Sequence, residues 1–277
     1  MPVIAMNQEM GSQGKFVAES LAEELGLEIV RHEIIDRVAE KMHVRKSMLQ
    51  RFLEGKAGLL ERWGTDEASL ALFKAEEILE LAAKGNVLIR GWGATHVLRP
   101  IPHIPCVRVG APFAMRVKWL MTRLDTDDEE MVGEEIRHSD MAHRANMQHQ
   151  FGATWGEPMQ YDLTLNTERL SVATCVAQIK QLLTRPEFEE TPESRAKLAN
   201  LTLEYRARAA LLAHVKTADV KIVISADHGK LLLQGIVASA DERKAIVDVV
   251  SHVAEVKGVD NKLRVMKDIR IFPSSKT

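Results

Sequence analysis

A nine-residue stretch decides the fold: Asn7-Gln8-Glu9-Met10-Gly11-Ser12-Gln13-Gly14-Lys15. The apolar run before it, at residues 3–6, is typical of a buried strand. After it, Val17, Leu21 and Leu25 are spaced i, i+4 and i+8, which predicts a helix over residues 15–25. A glycine-bearing loop that joins a strand to a helix is the setting in which such loops bind phosphate.

The chemistry of this loop suits a phosphate group. Gly11 and Gly14 let the backbone approach a ligand closely, and the helix N-terminus adds a partial positive charge. Lys15 supplies a full positive charge for the β- and γ-phosphates of a nucleotide. The predicted cofactor contacts are therefore the consecutive residues Gly11, Ser12, Gln13, Gly14 and Lys15.

The loop matches the pattern G-x-x-x-x-G-K-[ST] incompletely. Glu9 stands where the first glycine is expected, and Phe16 replaces the serine or threonine that binds magnesium. Ser12 is the nearest hydroxyl, so we predict it as the metal ligand in place of that residue. A purely structural strand–turn–helix connection remains the alternative interpretation of the loop.

Four more apolar runs predict further strands, and helical patterns separate them. These runs cover residues 28–30, 87–89, 104–109 and 163–165. Five buried strands alternating with helices predict an α/β fold, a parallel five-stranded sheet flanked by helices on both faces. Ligands of such sheets bind at the carboxyl ends of the strands. Arg90 directly follows the third run, so it is predicted to contact a substrate.

A group of basic residues lies on the helical patterns that follow the fourth run. Arg137, Asp140 and Arg144 are spaced i, i+3 and i+7, which places them on one helix face. Arg116 and Arg123 have the same seven-residue spacing. Arginine binds phosphate oxygens in pairs and keeps its charge, as phosphoryl transfer requires. A solvated helix with an Asp140–Arg144 pair is the alternative.

Composition indicates a soluble globular protein of two domains. The 277 residues are 45% hydrophobic and 27% charged, and the net charge of −2 gives no argument for a nucleic-acid partner, so none is expected. Cys106 and Cys175 are far apart in apolar runs, which favours two buried free thiols and a cytoplasmic location. His138, His143 and His149 are predicted to be surface helix residues rather than metal ligands.

The pattern of strands and helices breaks between residues 184 and 200. Prolines and glutamates without periodicity predict a linker there, between a domain at residues 1–183 and a second domain at residues 201–272. A helix is predicted over residues 196–214 and another over residues 240–255. The predicted strands are residues 220–225, 231–237 and 262–266. Asp227-His228-Gly229-Lys230 predicts a tight hairpin turn between the first two.

Residues 1–183 resemble the bacterial cytidylate-kinase-like proteins, a P-loop kinase-like group. The resemblance is carried by Gly11-Ser12-Gln13-Gly14, Glu33-Ile34-Ile35, Arg90-Gly91, Phe151-Gly152-Ala153-Thr154-Trp155, and Tyr161-Asp162-Leu163-Thr164-Leu165-Asn166-Thr167 with Arg144 upstream. It implies an ATP-dependent kinase that uses Mg²⁺, with a nucleoside monophosphate as acceptor and a mobile lid that bears arginines.

The same resemblance implies roles for individual residues. Lys15, Arg116, Arg137 and Arg144 would be the catalytic phosphate contacts, and Arg90 and Asp140 are predicted on the substrate side. The chain departs from the family at Arg31-His32, where an aspartate followed by an arginine is usual, and at Gln13, where a further glycine is common.

Residues 204–266 resemble a BON domain. The resemblance is carried by Ile222-Val223-Ile224, Asp227-His228-Gly229, residues 231–237, the helix from Asp241, and Gly258-Val259-Asp260-Asn261-Lys262-Leu263. It implies a small α+β domain with a protein or phospholipid partner. Its mild basic excess does not favour binding to an anionic membrane, so a ligand-sensing or dimer-forming module, giving a homo-oligomer, is the other expectation.

These observations lead to two hypotheses about function. The first is phosphoryl transfer from ATP to a nucleoside monophosphate (CMP-like) or a similar small acceptor, with regulation by the C-terminal domain. The second is a non-catalytic nucleotide sensor that signals through that domain, and it is motivated by Phe16 and Arg31-His32. A purely structural protein would leave the phosphate loop unexplained.

Overall fold

The computed structural model describes residues 2–30, 33–56 and 66–266. The chain divides into two compact units, Met1–Ser194 and Arg195–Thr277. The departure from the family pattern at Arg31-His32 lies outside the described residues.

The first unit is built on a five-stranded parallel sheet, as predicted. Its strands are β1 (Val3–Gln8), β2 (Glu28–Val30), β3 (Val87–Arg90), β4 (Cys106–Gly110) and β5 (Leu163–Asn166). Their order in the sheet is β2-β3-β1-β4-β5, and every neighbouring pair is parallel. The connection after β1 leads to one side of the sheet and the connection after β4 to the other, so a ligand crevice is expected where these two strands end.

Helices surround this sheet. They are α1 (Gly14–Leu25), α2 (Glu33–Lys41), α3 (Lys46–Leu53), α4 (Glu67–Lys84), α5 (Ala94–Val97), α6 (Phe113–Leu124), α7 (Glu129–Phe151) and α8 (Val172–Leu183). Short 3₁₀ turns lie at Pro158–Gln160 and Pro186–Phe188.

Burial on both faces explains why the central strands have continuous apolar sequences. Ile4 and Met6 of β1 and Leu88 of β3 are fully buried. Helix α1 packs Val17 and Leu21 into the same core. Strand β4 begins two residues later than the apolar run predicts, because Pro105 has no N–H to give to the sheet.

The second unit is a small α+β domain, as predicted. It contains all but the first three residues of α9 (Pro192–Ala213), together with β6 (Val223–Asp227), β7 (Lys230–Val237), α10 (Ala240–Ser251) and β8 (Gly258–Val265). The strand order is β6-β7-β8, with β6 and β7 antiparallel and β7 and β8 parallel. The predicted hairpin is confirmed, since Asp227 pairs with Lys230 across two residues of positive φ.

Two elements of the second unit begin earlier than the sequence predicts. Helix α9 starts at Pro192, inside the stretch predicted as a linker. The proline occupies the first helical position, which its fixed φ favours, and Thr191 and Ser194 exchange side-chain to backbone hydrogen bonds around it. Strand β8 starts at Gly258, four residues before the predicted strand. The apolar pattern does not reveal its first half, because β8 lies at the sheet edge and that half is largely polar.

No helix in the three described ranges is long and apolar enough to cross a membrane.

The buried position of Ile4 leads to a stability prediction. Ile4→Ala removes a side chain that is 0% exposed, so we expect a loss of about 2–5 kcal/mol in the free energy of unfolding. Leu124→Ala, at a site 55% exposed, is the control and should change it by less than about 0.5 kcal/mol. Urea unfolding followed by tryptophan fluorescence reports on the first unit, because every tryptophan precedes residue 195. Equal midpoints for the two variants would contradict the assigned core.

Candidate functional site

The loop after β1 turns sharply beneath the first turn of α1. Gly11 has φ +80° and Gln13 has φ 59°, both in the left-handed region. A Cβ on Gly11 would lie 2.8 Å from the carbonyl oxygen of Arg116, and one on Gly14 would lie 2.7 Å from Cβ of Gln8. Both glycines are therefore required by close contacts, and the positive φ of Gln13 is a conformation that glycine would adopt more easily.

Backbone N–H groups of this loop remain available to a ligand. Within the described part of the chain, the N–H groups of Gly11, Gln13, Gly14 and Lys15 have no hydrogen-bond acceptor. The side chain of Gln13 does not cap α1, and the first turn of the helix holds no acidic residue. Side chains do cap α4, α7, α8 and α10. The start of α1 therefore keeps both its donors and its partial positive charge for an anion.

The contacts of Glu9 explain how the loop accommodates a carboxylate where the pattern expects glycine. One carboxylate oxygen accepts a hydrogen bond from Nη2 of Arg108 at 2.7 Å, and the other accepts one from the backbone N–H of Ala111 at 3.1 Å. The guanidinium of Arg108 also lies 4.5 Å from the ring of Trp155. Glu9 therefore ties the end of β1 to the end of β4 with its charge compensated.

Ser12 lies in the floor of the loop. It is 0% exposed, and its hydroxyl is within hydrogen-bonding distance of the carbonyl oxygens of Glu9 (2.8 Å) and Val109 (3.2 Å). Thr167 donates to the Ser12 carbonyl at 2.8 Å. This geometry favours a structural role for Ser12 and does not support the predicted magnesium ligand. Among the residues that the structure describes, no three His, Cys, Asp or Glu side chains cluster as a metal site.

The loop forms one wall of a cavity of about 490 Å³ inside the first unit. Of the predicted site residues, the cavity is lined by Gly11, Gln13, Gly14, Lys15 and Arg90. Arg90 is 5% exposed at the end of β3, as its position after the strand predicts. Lys15 is half-exposed and pairs with Glu19 at 3.4 Å. The loop residues and Arg90, which come from different strand ends, therefore line the same cavity.

Arg116 and Asp140 form a buried ion pair rather than part of the cavity wall. The two guanidinium–carboxylate hydrogen bonds measure 3.1 and 2.8 Å, and the residues are 5% and 7% exposed. Arg116 also donates to the carbonyl oxygen of Met10 at 3.3 Å. The pair thus fixes the loop to α6 and α7. This arrangement supports a positioning role for both residues. Asp140 forms its ion pair with Arg116 rather than with Arg144, the partner considered in the sequence analysis.

Arg137 and Arg144 are not brought together with the loop. Both are exposed on α7, and neither lines the cavity. The guanidinium of Arg137 lies 5.0 Å from the ring of Phe113. Of the three residues predicted on one helix face, Asp140 is buried, whereas Arg137 and Arg144 are exposed to solvent.

An aromatic cluster borders the loop where the pattern expects a hydroxyl. The rings of Phe16 and Trp119 meet edge to face at 5.8 Å. The guanidinium of Arg123 lies 5.8 Å from the Phe16 ring and 5.3 Å from the Trp119 ring. Trp119 and Arg123 line the cavity, so this wall offers flat surfaces and a positive charge.

Several cavity residues were missed by sequence reasoning. His138 and His143 line the cavity; His143 is exposed, as expected for a surface helix residue, and stacks on Trp155. Lys74 of α4 is 4% exposed and also lines the cavity, and burial lowers the pKa of its ammonium group to about 7. The signal for Lys74 was its place midway between Leu70 and Ile78, which puts a charge on the buried face of an amphipathic helix.

The anchoring role of Glu9 can be tested by removing its carboxylate. Glu9→Ala leaves Arg108 without its charge partner at a site that is 7% exposed, so we expect a loss of about 3 kcal/mol in the free energy of unfolding. Glu19→Ala removes an exposed carboxylate close by and should cost less than about 1 kcal/mol. Equal urea midpoints for these two variants would show that Glu9 does not anchor the loop.

Comparisons with solved structures give distant similarities to the first unit. An uncharacterized protein from Eubacterium ventriosum ATCC 27560 matches with a TM-score of 0.53 and 20% identity, over 67% of this chain and 100% of that one. Shikimate kinase from Bacteroides thetaiotaomicron matches with 0.40 and 14%, over 66% and 99%. Deoxyadenosine kinase from M. mycoides matches with 0.39 and 12%, over 66% and 100%. At 20% identity, the first of these similarities shows the fold alone.

Family models identify both parts of the chain. No curated protein matches it. Residues 201–267 match the BON domain. Residues 3–169, more than half of the chain, match the cytidylate kinase-like family, and the phosphate loop, Arg90 and all the residues that line the cavity lie within that match. The protein therefore belongs to the cytidylate kinase-like family and carries a C-terminal BON domain.

Proposed function

We propose that the protein transfers the γ-phosphoryl group of ATP to a nucleoside monophosphate, CMP-like, or to a similar small acceptor. One observation carries the proposal: the loop with its free N–H groups and Lys15 lines the same cavity as the buried Arg90 at the end of β3. Donor and acceptor phosphates held at two walls of one cavity can be brought into line for transfer.

The donor site in this proposal is the loop and the start of α1. The N–H groups of Gly11, Gln13, Gly14 and Lys15, together with the Lys15 ammonium, bind the β- and γ-phosphates. The Arg116–Asp140 pair acts indirectly, because it holds the Met10 carbonyl and hence the loop. Trp119 and Arg123 provide a surface on which the nucleotide base can stack.

The acceptor needs no catalytic base. A phosphate monoester has a second pKa near 6, so an acceptor oxygen already carries negative charge at neutral pH. That oxygen forms the new bond to the γ-phosphorus while the bond to the β–γ bridging oxygen breaks, and ADP leaves with the electron pair. The contribution of the protein is alignment and positive charge from Arg90 and Lys15.

Magnesium is proposed as a companion of the nucleotide rather than a resident of the protein. Neither Phe16 nor the buried Ser12 offers a metal ligand at the loop. The carboxylates that line the cavity are already paired, Glu9 with Arg108, and Glu54 and Glu135 with Lys56. When bound to nucleotide phosphates, Mg²⁺ neutralises charge that develops during transfer. It commonly keeps several waters and few protein ligands.

A nucleotide sensor without turnover is the second candidate function. It is favoured by Phe16, which stands at the sequence position of the metal-binding serine or threonine and whose ring packs edge to face on Trp119. In this alternative the BON domain passes the nucleotide-bound state to a protein or phospholipid partner, or to a second copy of the chain. Both candidates are proposed for the cytoplasm, where Cys106 and Cys175, which are free and buried, would stay reduced.

Replacing Lys15 tests catalysis and nucleotide binding together. Lys15→Met removes the cation beside the loop, so we expect phosphoryl transfer from ATP to CMP to fall by about 10²-fold or more. Lys180→Met, an exposed lysine on α8, is the control and should leave the rate unchanged. A coupled ADP-release assay over AMP, CMP, GMP and UMP measures both. Transfer that does not depend on Lys15 would contradict the proposal, and ATP binding without any transfer would select the sensor.

The position of Trp119 in the cavity lining leads to a separate prediction about the base of the donor nucleotide. Trp119→Ala removes the indole that lines the cavity, so the Kd for ATP should rise by about 5- to 150-fold, as expected for a lost stacking contact. Inorganic triphosphate, which has no base, is the control ligand, and its Kd should not change. Calorimetric titration of both ligands checks this, and equal losses for the two would place the base elsewhere.

A further inference from the structure

Lys74 is a buried cation on the cavity wall, far in sequence from the phosphate loop. It lies on the inner face of α4 and is 4% exposed. Its ammonium nitrogen donates a hydrogen bond to Oε1 of Gln150 at 2.6 Å and lies 5.2 Å from the ring of Phe151. Both partners are uncharged, so nothing in this contact neutralises the ammonium.

The acidic residues of α4 that are closest to Lys74 in sequence form ion pairs with other basic residues. Glu76 accepts from Lys41 at 2.7 Å, and Glu77 pairs with the same lysine at 2.6 Å and with Arg37 at 3.2 Å. Within residues 2–30, 33–56 and 66–266, no carboxylate oxygen lies within 4.0 Å of the Lys74 ammonium. A buried charge without a counter-ion is costly, and an anion in the cavity would remove much of that cost.

The position of Lys74 associates it with the end of β3. The loop that follows Arg90 packs against Phe151, because a Cβ on Gly93 would lie 2.4 Å from Cε2 of that ring. Lys74 borders the same ring. Arg90 and Lys74 are both buried, and both line the cavity. Two buried basic side chains therefore line the cavity to which the proposed function assigns the acceptor.

We propose that Lys74 recognises the anionic group of the acceptor, and that this group is a phosphate monoester. The inference rests on the proposed function for the identity of the acceptor site and extends it to a further specificity residue. A phosphate monoester would supply the counter-ion that Lys74 lacks, whereas an unphosphorylated nucleoside would leave Lys74 with neutral contacts only. The ammonium serves as a binding and selecting group and takes no part in bond exchange.

The test compares monophosphates with their nucleosides in the full-length protein. Calorimetric titration of CMP and cytidine, and of AMP, GMP and UMP with their nucleosides, measures binding to wild type, Lys74→Met and Lys84→Met. We expect Lys74→Met to weaken the preferred monophosphate by about 10- to 100-fold, the size of a lost charge-assisted hydrogen bond, while the Kd for ATP stays constant. Lys84, exposed at the end of α4, is the matched control and should change neither value.

Methionine keeps the apolar stem of lysine, so the variant should fold, and its urea midpoint verifies this. Gln150→Leu is the second variant. It removes the side-chain oxygen that accepts the hydrogen bond of the ammonium, and it should weaken monophosphate binding by a smaller factor than Lys74→Met does. Monophosphate binding that is equal in wild type and both variants would overturn the inference, and so would a wild type that binds none of the monophosphates. Weaker monophosphate binding in Lys74→Met without any phosphoryl transfer would support it while overturning catalysis.

Discussion

The carboxylate of Glu9 joins the phosphate loop to the neighbouring strand, and much of the site depends on this contact. Its two oxygens bind Arg108 and the backbone of Ala111 on the β4 side. Gly110 is needed beside it, since a Cβ there would lie 2.8 Å from Oε2 of Glu9. The loop is thereby held in a turn that includes left-handed residues, and the N–H groups of Gly11, Gln13, Gly14 and Lys15 remain unpaired for a ligand.

Compensation of buried charge organises the rest of the unit. Arg116 is neutralised by Asp140, Arg108 by Glu9, and Glu76 and Glu77 by the side chains of α2. Each pair joins one element to another, and the attraction within the pair offsets the cost of burying its charges. Lys74 differs because its contacts are neutral, and it lines the cavity. The same principle that explains the pairs therefore identifies where an anionic ligand would complete the structure.

The sequence predicted the fold and the position of the loop because both depend on local patterns. Apolar strands, glycine at 11 and 14, and the hairpin at His228-Gly229 are short-range signals. Partners distant in sequence could not be predicted in this way. The spacing of Arg137, Asp140 and Arg144 suggested one basic face, whereas Asp140 turns inward to Arg116, 24 residues away.

Side-chain identity was also misleading where burial decides the role. Ser12 looked like a metal ligand because it carries the nearest hydroxyl, yet its hydroxyl lies in the fully buried floor of the loop. Lys74 drew no prediction from the sequence, yet it lies on the buried side of α4. In both cases the missing information was which face of the element the fold covers, and that depends on packing across the whole unit.

The most direct test of the central claim is to follow backbone amides during nucleotide binding. Titration of ¹⁵N-labelled protein with ATP, observed in ¹H–¹⁵N correlation spectra, reports each N–H separately. The account predicts large downfield proton shifts for the amides of Gly11, Gln13, Gly14 and Lys15, because charged phosphate oxygens become their acceptors. Binding that shifts amides elsewhere and leaves these four unchanged would contradict it.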